Sequence, residues 1–268
     1  MGAALNRLND YFFKWLFGRE ERKDVLLSFL NAVLSLENQA ELIDITLAER
    51  ELDPDGLSDK LARLDILGRA GDGSLINIEV QVANQYDMDK RTLYYWARLY
   101  QSQLQKGQPY KALCRTVTIN VLDYRFLPDD RKYHSMYSLY EAESHHRLNR
   151  DLEMHFLELP KWKEHPKVKT RLDKWIVYLC NTDAEEMEEI AMSEPAIKKA
   201  LTAEEIFLKQ DKERYMYEMR EKAIRDEISQ MTGAREEGRL EGKLEIAAKM
   251  LERGIDLRDI AEITGLAE

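Results

Sequence analysis

No stretch of this sequence approaches the roughly 18 consecutive apolar residues that a membrane-spanning helix needs, so a helical membrane protein is excluded as a reading of these residues. No cleaved leader is expected either, because the N-terminus runs straight into an amphipathic segment. The two cysteines, Cys114 and Cys180, lie far apart and match no metal or redox spacing, which points to reduced core thiols in a cytoplasmic protein. The five histidines include the adjacent pair His145-His146 but none at helical or finger spacing, so a zinc site is not expected. A basic excess is missing too, and a net charge of −10 excludes passive coating of nucleic acid.

At 268 residues and 44% hydrophobic, the chain has enough material for a sizeable core, as one large domain or two. The 34% charged fraction suggests long, solvated helices. Charge is unevenly spread: residues 1–125 carry a net −2 and residues 126–268 a net −8. Between Lys90 and Leu122 stand Lys90, Arg91, Arg98, Lys106, Lys111 and Arg115 with no acid among them. Such a basic, aromatic-rich stretch suits either contact with a polyanion or an ordinary solvated helix face.

Along the chain, Asn9 or Asp10 is placed to cap a first helix that ends near Gly18. The first-helix aromatics Phe12, Phe13 and Phe17 have helical spacing and are expected in the core. A second amphipathic helix is expected over Asp24–Leu36, a strand over Ile43–Leu47 and a turn at Asp53-Pro54-Asp55-Gly56. Leu61–Leu67 and Leu75–Val82 read as two strands joined by Gly71-Asp72-Gly73. Asp87–Lys106 reads as a helix with Leu93, Ala97, Tyr100 and Leu104 on its core face and Arg91, Tyr95 and Arg98 on another. Strands are expected again at Thr116–Val121 and Leu152–Leu159, giving an α/β core in which helices flank a small mixed sheet. After about Lys163 the strand signals fade; Val168–Asn181 and the charged region 183–230 read as helical.

The two strands around Gly71-Asp72-Gly73 carry the chemistry. On the second, Ile76, Ile78, Val80 and Val82 take one face, and Asn77, Glu79 and Gln81 the other. If the hairpin is symmetric about Asp72, Asp65 lies opposite Glu79. Like charges directly opposite each other repel unless a cation sits between them. A two-residue loop would instead separate the acids onto opposite faces. Two carboxylates with water and a phosphate oxygen suit Mg²⁺ or Mn²⁺, and such an ion promotes phosphodiester hydrolysis. Taken alone, the pair also fits two surface residues of a half-exposed strand.

Four sequence blocks narrow this. They are Asp10-Tyr-Phe-Phe-Lys14-Trp-Leu-Phe17-Gly18, Leu64-Asp65-Ile66, Ile78-Glu79-Val80-Gln81, and Arg91-Thr-Leu-Tyr94-Tyr95 followed by Gly107-Gln-Pro-Tyr110. In order and spacing over residues 1–160 they resemble the PD-(D/E)xK nuclease-family transposases, the recombination-promoting nucleases; Glu158–Lys161 and the glycine-punctuated tail resemble that family too. The resemblance implies a restriction-endonuclease-like core and divalent-metal-dependent DNA cleavage linked to recombination and mobile elements. It implies Asp65 as first metal ligand and Glu79 as second, with Gln81 in the place of the motif lysine. A Gln orients water but cannot neutralise charge. Asp10 matches a first-helix acid that is either a helix cap or a third carboxylate. The helix beginning with Arg91 and Tyr95 is implied to border the site, with Arg91 contacting the scissile phosphate or a carboxylate and Tyr95 and Arg98 beside it on the substrate side; Arg91 also fits a surface residue pairing with Asp87 or Asp89.

The expected organisation is a nuclease-like domain over residues 1–160, a helical region over 161–232 and a charged tail over 233–268. Each interior glycine costs a helix about 1 kcal/mol relative to Ala. Gly233, Gly238 and Gly242 therefore suggest a hinge, a weak helix or a coiled-coil arm. The last residues resemble the first helix and turn of a helix-turn-helix without its recognition helix, and we read them instead as a helical cap or oligomerisation tail. The favoured function is a Mg²⁺-dependent DNA endonuclease acting without a membrane, with homo-oligomers through the C-terminal helices. The rivals are a nonenzymatic DNA-binding or assembly protein on a decayed nuclease core, and a protein-interaction module.

Overall fold

The structure is a computed structural model that describes residues 5–35, 40–48, 51–52, 62–63, 65–84, 86–128, 132–180 and 184–266. Its first helix, α1 (Asp10–Phe17), starts where Asn9 turns extended backbone into helix. The Asn9 side chain accepts from the Tyr11 and Phe12 N–H groups, and Gly18 ends the helix. The cap is thus Asn9 and not Asp10. Helix α2 (Lys23–Leu34) follows. Five strands come next: β1 (Ile45–Leu47), β2 (Glu51–Leu52), β3 (Ala62–Arg63), β4 (Ile66–Ala70) and β5 (Leu75–Gln81). Helix α3 (Met88–Ser102) separates β5 from β6 (Thr116–Leu122), β7 (His134–Tyr137) and β8 (Leu152–Glu158). Helices α4 (Leu159–Glu164), α5 (Arg171–Cys180), α6 (Ala184–Ser193), α7 (Pro195–Lys209), α8 (Asp211–Glu252) and α9 (Leu257–Thr264) complete the chain.

Among the described residues, six strands form one sheet in the order β1-β4-β5-β6-β8-β7. The centre is parallel (β5 with β6, β6 with β8), and both flanks are antiparallel. This is a mixed α/β sheet with helices on both faces, consistent with a restriction-endonuclease-like fold. Strands β2 and β3 pair with each other outside it.

One face of the sheet carries Ile76, Ile78, Val117, Ile119, Val121 and Leu157 and packs into the main core with α1, α2, α5 and α7. That core is aromatic: the Phe13 and Phe17 rings meet at 4.6 Å, Phe29 and Trp175 at 5.7 Å, and Phe207 meets Phe12 edge-on at 5.0 Å. Phe12, Phe13 and Phe17 are fully buried, as expected from their spacing. Because Trp175 and Phe207 belong to this cluster, helices beyond residue 160 help build the same core as α1 and α2.

The hairpin register is symmetric about Asp72: Ile66 faces Ile78, Leu67 faces Asn77 and Arg69 faces Leu75. Asp72 accepts from the Ser74 N–H, and Gly73 takes φ +90°, a conformation that favours glycine. Four expectations need correction. The strand expected over Leu61–Leu67 is broken: Ala62–Arg63 pairs with Glu51–Leu52, and β4 begins only at Ile66. Strand β5 is not half-exposed, since both faces are covered and only Gln81 is partly open. Helix α3 is shorter than expected, and its buried residues are Met88, Thr92 and Leu99, while Leu93 is half exposed. The sheet face it covers is polar, so hydrophobic spacing misidentified the inward side. Gly233, Gly238 and Gly242 sit inside the continuous α8 with open space where a Cβ would go, so of the hinge, weak helix and coiled-coil arm it is the hinge that the unbroken helix replaces. The expected turn at Asp53–Gly56 and the motif residue Leu64 lie outside the described residues.

The chain divides into two compact units, Met1–Arg220 and Glu221–Glu268. The start of α8 belongs to the first. Tyr217 packs edge-on against Phe207, the Tyr11 hydroxyl donates to Glu213 at 2.7 Å, and Arg220 pairs with Asp10 at 2.5 Å. In the second unit, α9 is capped by Asp256 at one end and by left-handed Gly265 at the other. A chain ending at residue 232 is therefore expected to unfold cooperatively near the full-length midpoint. A chain ending at residue 210, without Glu213, Tyr217 and Arg220, should melt several degrees lower, since about 1 kcal/mol corresponds to ~2–4 °C in a domain of this size. Calorimetry of the two truncations checks both statements.

Candidate active site

Asp65 stands in the break before β4, one residue beyond the last β4–β5 pair. Its Oδ2 accepts from the Val80 backbone N–H at 2.8 Å, satisfying a strand donor where the ladder has ended. The symmetric register, extended by one pair, sets Asp65 across from Glu79. Both are buried, at 7% and 2% exposure. The surface-residue alternative is thereby removed: these are two interior carboxylates on one sheet face.

Their surroundings are oxygen-rich. Asn77 donates to Glu79 Oε1 at 3.2 Å, and its own Oδ1 is buried with no hydrogen-bond partner among the described residues. Asn120, the β6 neighbour of Glu79, donates to Thr92 Oγ1 at 3.1 Å and to the His155 carbonyl at 3.0 Å. The Asn120 Oδ1 is likewise buried without a partner among those residues.

Burial drives the Glu79 carboxyl up to about 8, and the charge of Asp65 adds to the rise. The Asn77 amide, the Arg91 charge and the Asp65 N–H oppose it. Glu153 offers a contrast within the same sheet. It is equally buried, at 1% exposure. Burial pushes its pKa up as well, but His155 and Arg115 overcome that and hold it at about 2. Arg115 lies 2.7 Å and His155 2.8 Å from its carboxylate. Glu153 is thus a neutralised structural carboxylate, whereas Glu79 faces a second acid. This imbalance is the condition a bound cation relieves.

The donors present fit a hard divalent cation: two carboxylates and amide oxygens, with no thiolate or imidazole in the set. Among the described residues no group of three or more His, Cys, Asp or Glu side chains is placed to hold a metal, so the two acids would be its protein carboxylates.

The other expected site residues fall as follows. Arg91, in the first turn of α3, acts on Glu79 through its charge and lies 5.3 Å from the Tyr95 ring centroid. Tyr95 packs with Leu67 and Leu99, over the strand that follows Asp65. Arg98 lies two turns further along and receives no such placement; its guanidinium donates to the Tyr94 hydroxyl at 3.1 Å. Gln81 ends β5 half-buried, on the Glu79 side by alternation. Among the described residues Asp10 connects to the pair through Lys14, whose Nζ is 2.7 Å from Asp65 Oδ1 and 3.8 Å from Asp10 Oδ2. Lys14 and the amides Asn77 and Asn120 are the residues that sequence reasoning missed. The one-turn spacing of Asp10 and Lys14 was a visible signal for the first, and alternation already set Asn77 on the Glu79 face; for Asn120 there was none.

A mixed sheet carrying a facing acidic pair beside the first turn of a covering helix defines a restriction-endonuclease-like domain. The chain belongs to the PD-(D/E)XK nuclease family transposases, which match it over residues 7–234. Residues 240–268 match the C-terminal HTH domain of the Rpn/YhgA-like nuclease family, so the C-terminal segment is helix-turn-helix-like where a plain cap or oligomerisation tail had been preferred. No curated protein and no solved structure matches the chain.

The raised pKa of Glu79 has a consequence for stability. Between pH 4.5 and about 8 the unfolded chain has released this proton while the folded protein retains it, so stability falls as pH rises through that window. Glu79→Gln removes the effect. In metal-free buffer the variant should melt several degrees above wild type at pH 8 and within about a degree of it at pH 4. Thermal unfolding at the two pH values measures the difference.

Proposed function

We propose that this protein is a divalent-metal-dependent DNA endonuclease whose setting is recombination or a mobile element. The observation that carries the reading is the buried, facing pair Asp65 and Glu79 in a chain of the nuclease-transposase family. Asp65 and Glu79 would hold Mg²⁺ or Mn²⁺. Such an ion, when bound, polarises a phosphate oxygen and lowers the pKa of its water. The chain's own groups do the rest. Arg91 orients the scissile phosphate through its guanidinium fork, with Tyr95 as the wall beneath it. Gln81 positions the attacking water through its amide without adding charge. Asp10 fixes the lysine beside Asp65. In this reading residues 1–160 hold the site, 161–232 buttress it, and 233–268 form a separable arm that adds DNA affinity or self-association through its helices. The nonenzymatic DNA-binding reading draws support from one observation, Gln81 in the place of the motif lysine. DNA binding without cleavage in any metal would select it.

The decisive experiment is cleavage of supercoiled plasmid by the purified chain in Mg²⁺, Mn²⁺ or EDTA. Cleavage is expected with either ion and not with EDTA. The near-isosteric Asp65→Asn and Glu79→Gln are the variants to use, because Asp65→Ala would also strip the Val80 N–H of its acceptor. Each should slow cleavage by about 10²-fold or more, the scale of several kcal/mol of lost charge stabilisation. Wild-type rates in either variant would dismiss the ligand assignment.

A second expectation concerns the helix. Arg91→Ala with Arg98→Ala should weaken DNA binding and flatten its dependence on salt, by about one unit of slope for each phosphate that is no longer neutralised. Fluorescence anisotropy across a salt series gives the slopes. Parallel lines for wild type and variant would return α3 to an ordinary solvated face.

A further inference from the structure

We infer that Lys14, on α1, is the catalytic cation of this site, contacting the scissile phosphate in place of the lysine absent from position 81. The inference rests on the nuclease reading above and deepens it. Gln81 leaves the second acidic strand without a positive charge. Lys14 brings one from a different element: its Nζ lies 2.7 Å from Asp65 Oδ1, while Asp65 Oδ2 is held by the Val80 N–H. The Asp65 carboxylate is therefore bound on both oxygens, one by the sheet and one by the lysine.

The lysine's origin is fixed. Phe12, Phe13, Trp15, Leu16 and Phe17 surround it in α1 and are all buried. The backbone at position 14 is thus anchored in the main core. The ammonium is less constrained, at the end of a flexible four-carbon stem. Asp10, one turn back, lies 3.8 Å away and is itself held by Arg220 at 2.5 Å. Asp65 would hold the divalent ion, and the Lys14 ammonium would then keep Asp10 as its remaining acid partner. It is then placed to meet the next anion to arrive, the phosphate. Its contribution is electrostatic, as a positioned charge facing the oxygens where negative charge builds up. No proton need leave it.

Two consequences differ from a purely structural ion pair. Removing the ammonium takes away a cation that competes with metal for Asp65, so metal should bind at least as tightly. Removing it also takes away the charge facing phosphate, so cleavage should fall. A structural pair predicts looser metal binding, because Asp65 would lose its support.

The test uses the full chain with four sequences: wild type, Lys14→Met, Lys14→Gln, and Lys14→Met combined with Gln81→Lys. Unfolding midpoints report the fold, electron paramagnetic resonance of free Mn²⁺ reports binding, and plasmid cleavage at saturating Mn²⁺ reports activity. Lys14→Met is expected to bind Mn²⁺ no more weakly than wild type and to cleave about 10²-fold more slowly. Gln81→Lys should restore at least about tenfold of that loss, which no structural role of Lys14 would allow. Lys14→Gln carries the same comparison if the methionine variant does not fold. Cleavage at the wild-type rate by a folded position-14 variant, or weaker Mn²⁺ binding by it, overturns the inference while leaving the nuclease reading in place. A wild-type chain inactive with every metal would bring down the nuclease reading itself.

Discussion

The Asp65 carboxylate is the interaction on which the site depends, because it works where the backbone ladder gives out. Beyond Ile66 and Ile78 there is no further strand pair, and the Val80 N–H would be left buried without an acceptor. Asp65 Oδ2 supplies that acceptor, which ties the chain before β4 to the end of β5. Its other oxygen is tied to Lys14, which links both strands to α1 and so to the aromatic core. One side chain thereby fixes three elements, at the point where the acids gather.

The cost of this arrangement is visible in the face that α3 covers. A helix lying on a sheet ordinarily buries apolar residues. Here it lies on Asn77, Glu79, Thr116, Thr118 and Asn120, all buried. The threonines and the asparagine are accommodated by hydrogen bonds. Thr92 meets Thr118 at 3.3 Å and Asn120 at 3.1 Å, and the Trp96 indole donates to the Thr116 carbonyl at 2.9 Å. The Asn77 and Asn120 Oδ1 atoms stay without a partner among the described residues, and Glu79 is a carboxyl that the fold hides beside a second acid without a full positive partner among them. Buried polar groups left in that condition are expensive to maintain, and sequences keep them where chemistry needs them. The opposite face of the same sheet shows that the fold is able to neutralise a buried acid, as it does at Glu153 with His155 and Arg115.

The loop after β6 is held close to this face by a second buried pair. Lys161 donates to Glu158 at 2.7 Å and to the Leu127 carbonyl at 3.1 Å, while Glu158 accepts from the Phe126 N–H at 2.6 Å. Burial raises the Tyr124 phenol on that loop to about 12, with Arg91 acting against the rise. The charge of Arg91 is thus felt by both Glu79 and Tyr124. The Glu158–Lys161 run, a motif by resemblance alone, has a physical role in this fastening.

By itself the sequence determined much of the framework. Asn9 and Gly18 bounded α1 through capping and glycine geometry, the alternation in Leu75–Gln81 specified a strand, and Gly71-Asp72-Gly73 set a turn whose parity put Asp65 and Glu79 on one face. These are local rules, readable wherever backbone conformation follows from a few neighbours. Only the tertiary structure decided how deep the acids lie, because alternation says which way a side chain points and not what covers it. For the same reason α3 was read with the wrong inward face: its target is polar, and polar burial leaves no hydrophobic period. The pairing of Lys14 with Asp65 was also beyond the sequence, since fifty-one positions separate them and only the packing of α1 against the sheet closes that distance to 2.7 Å.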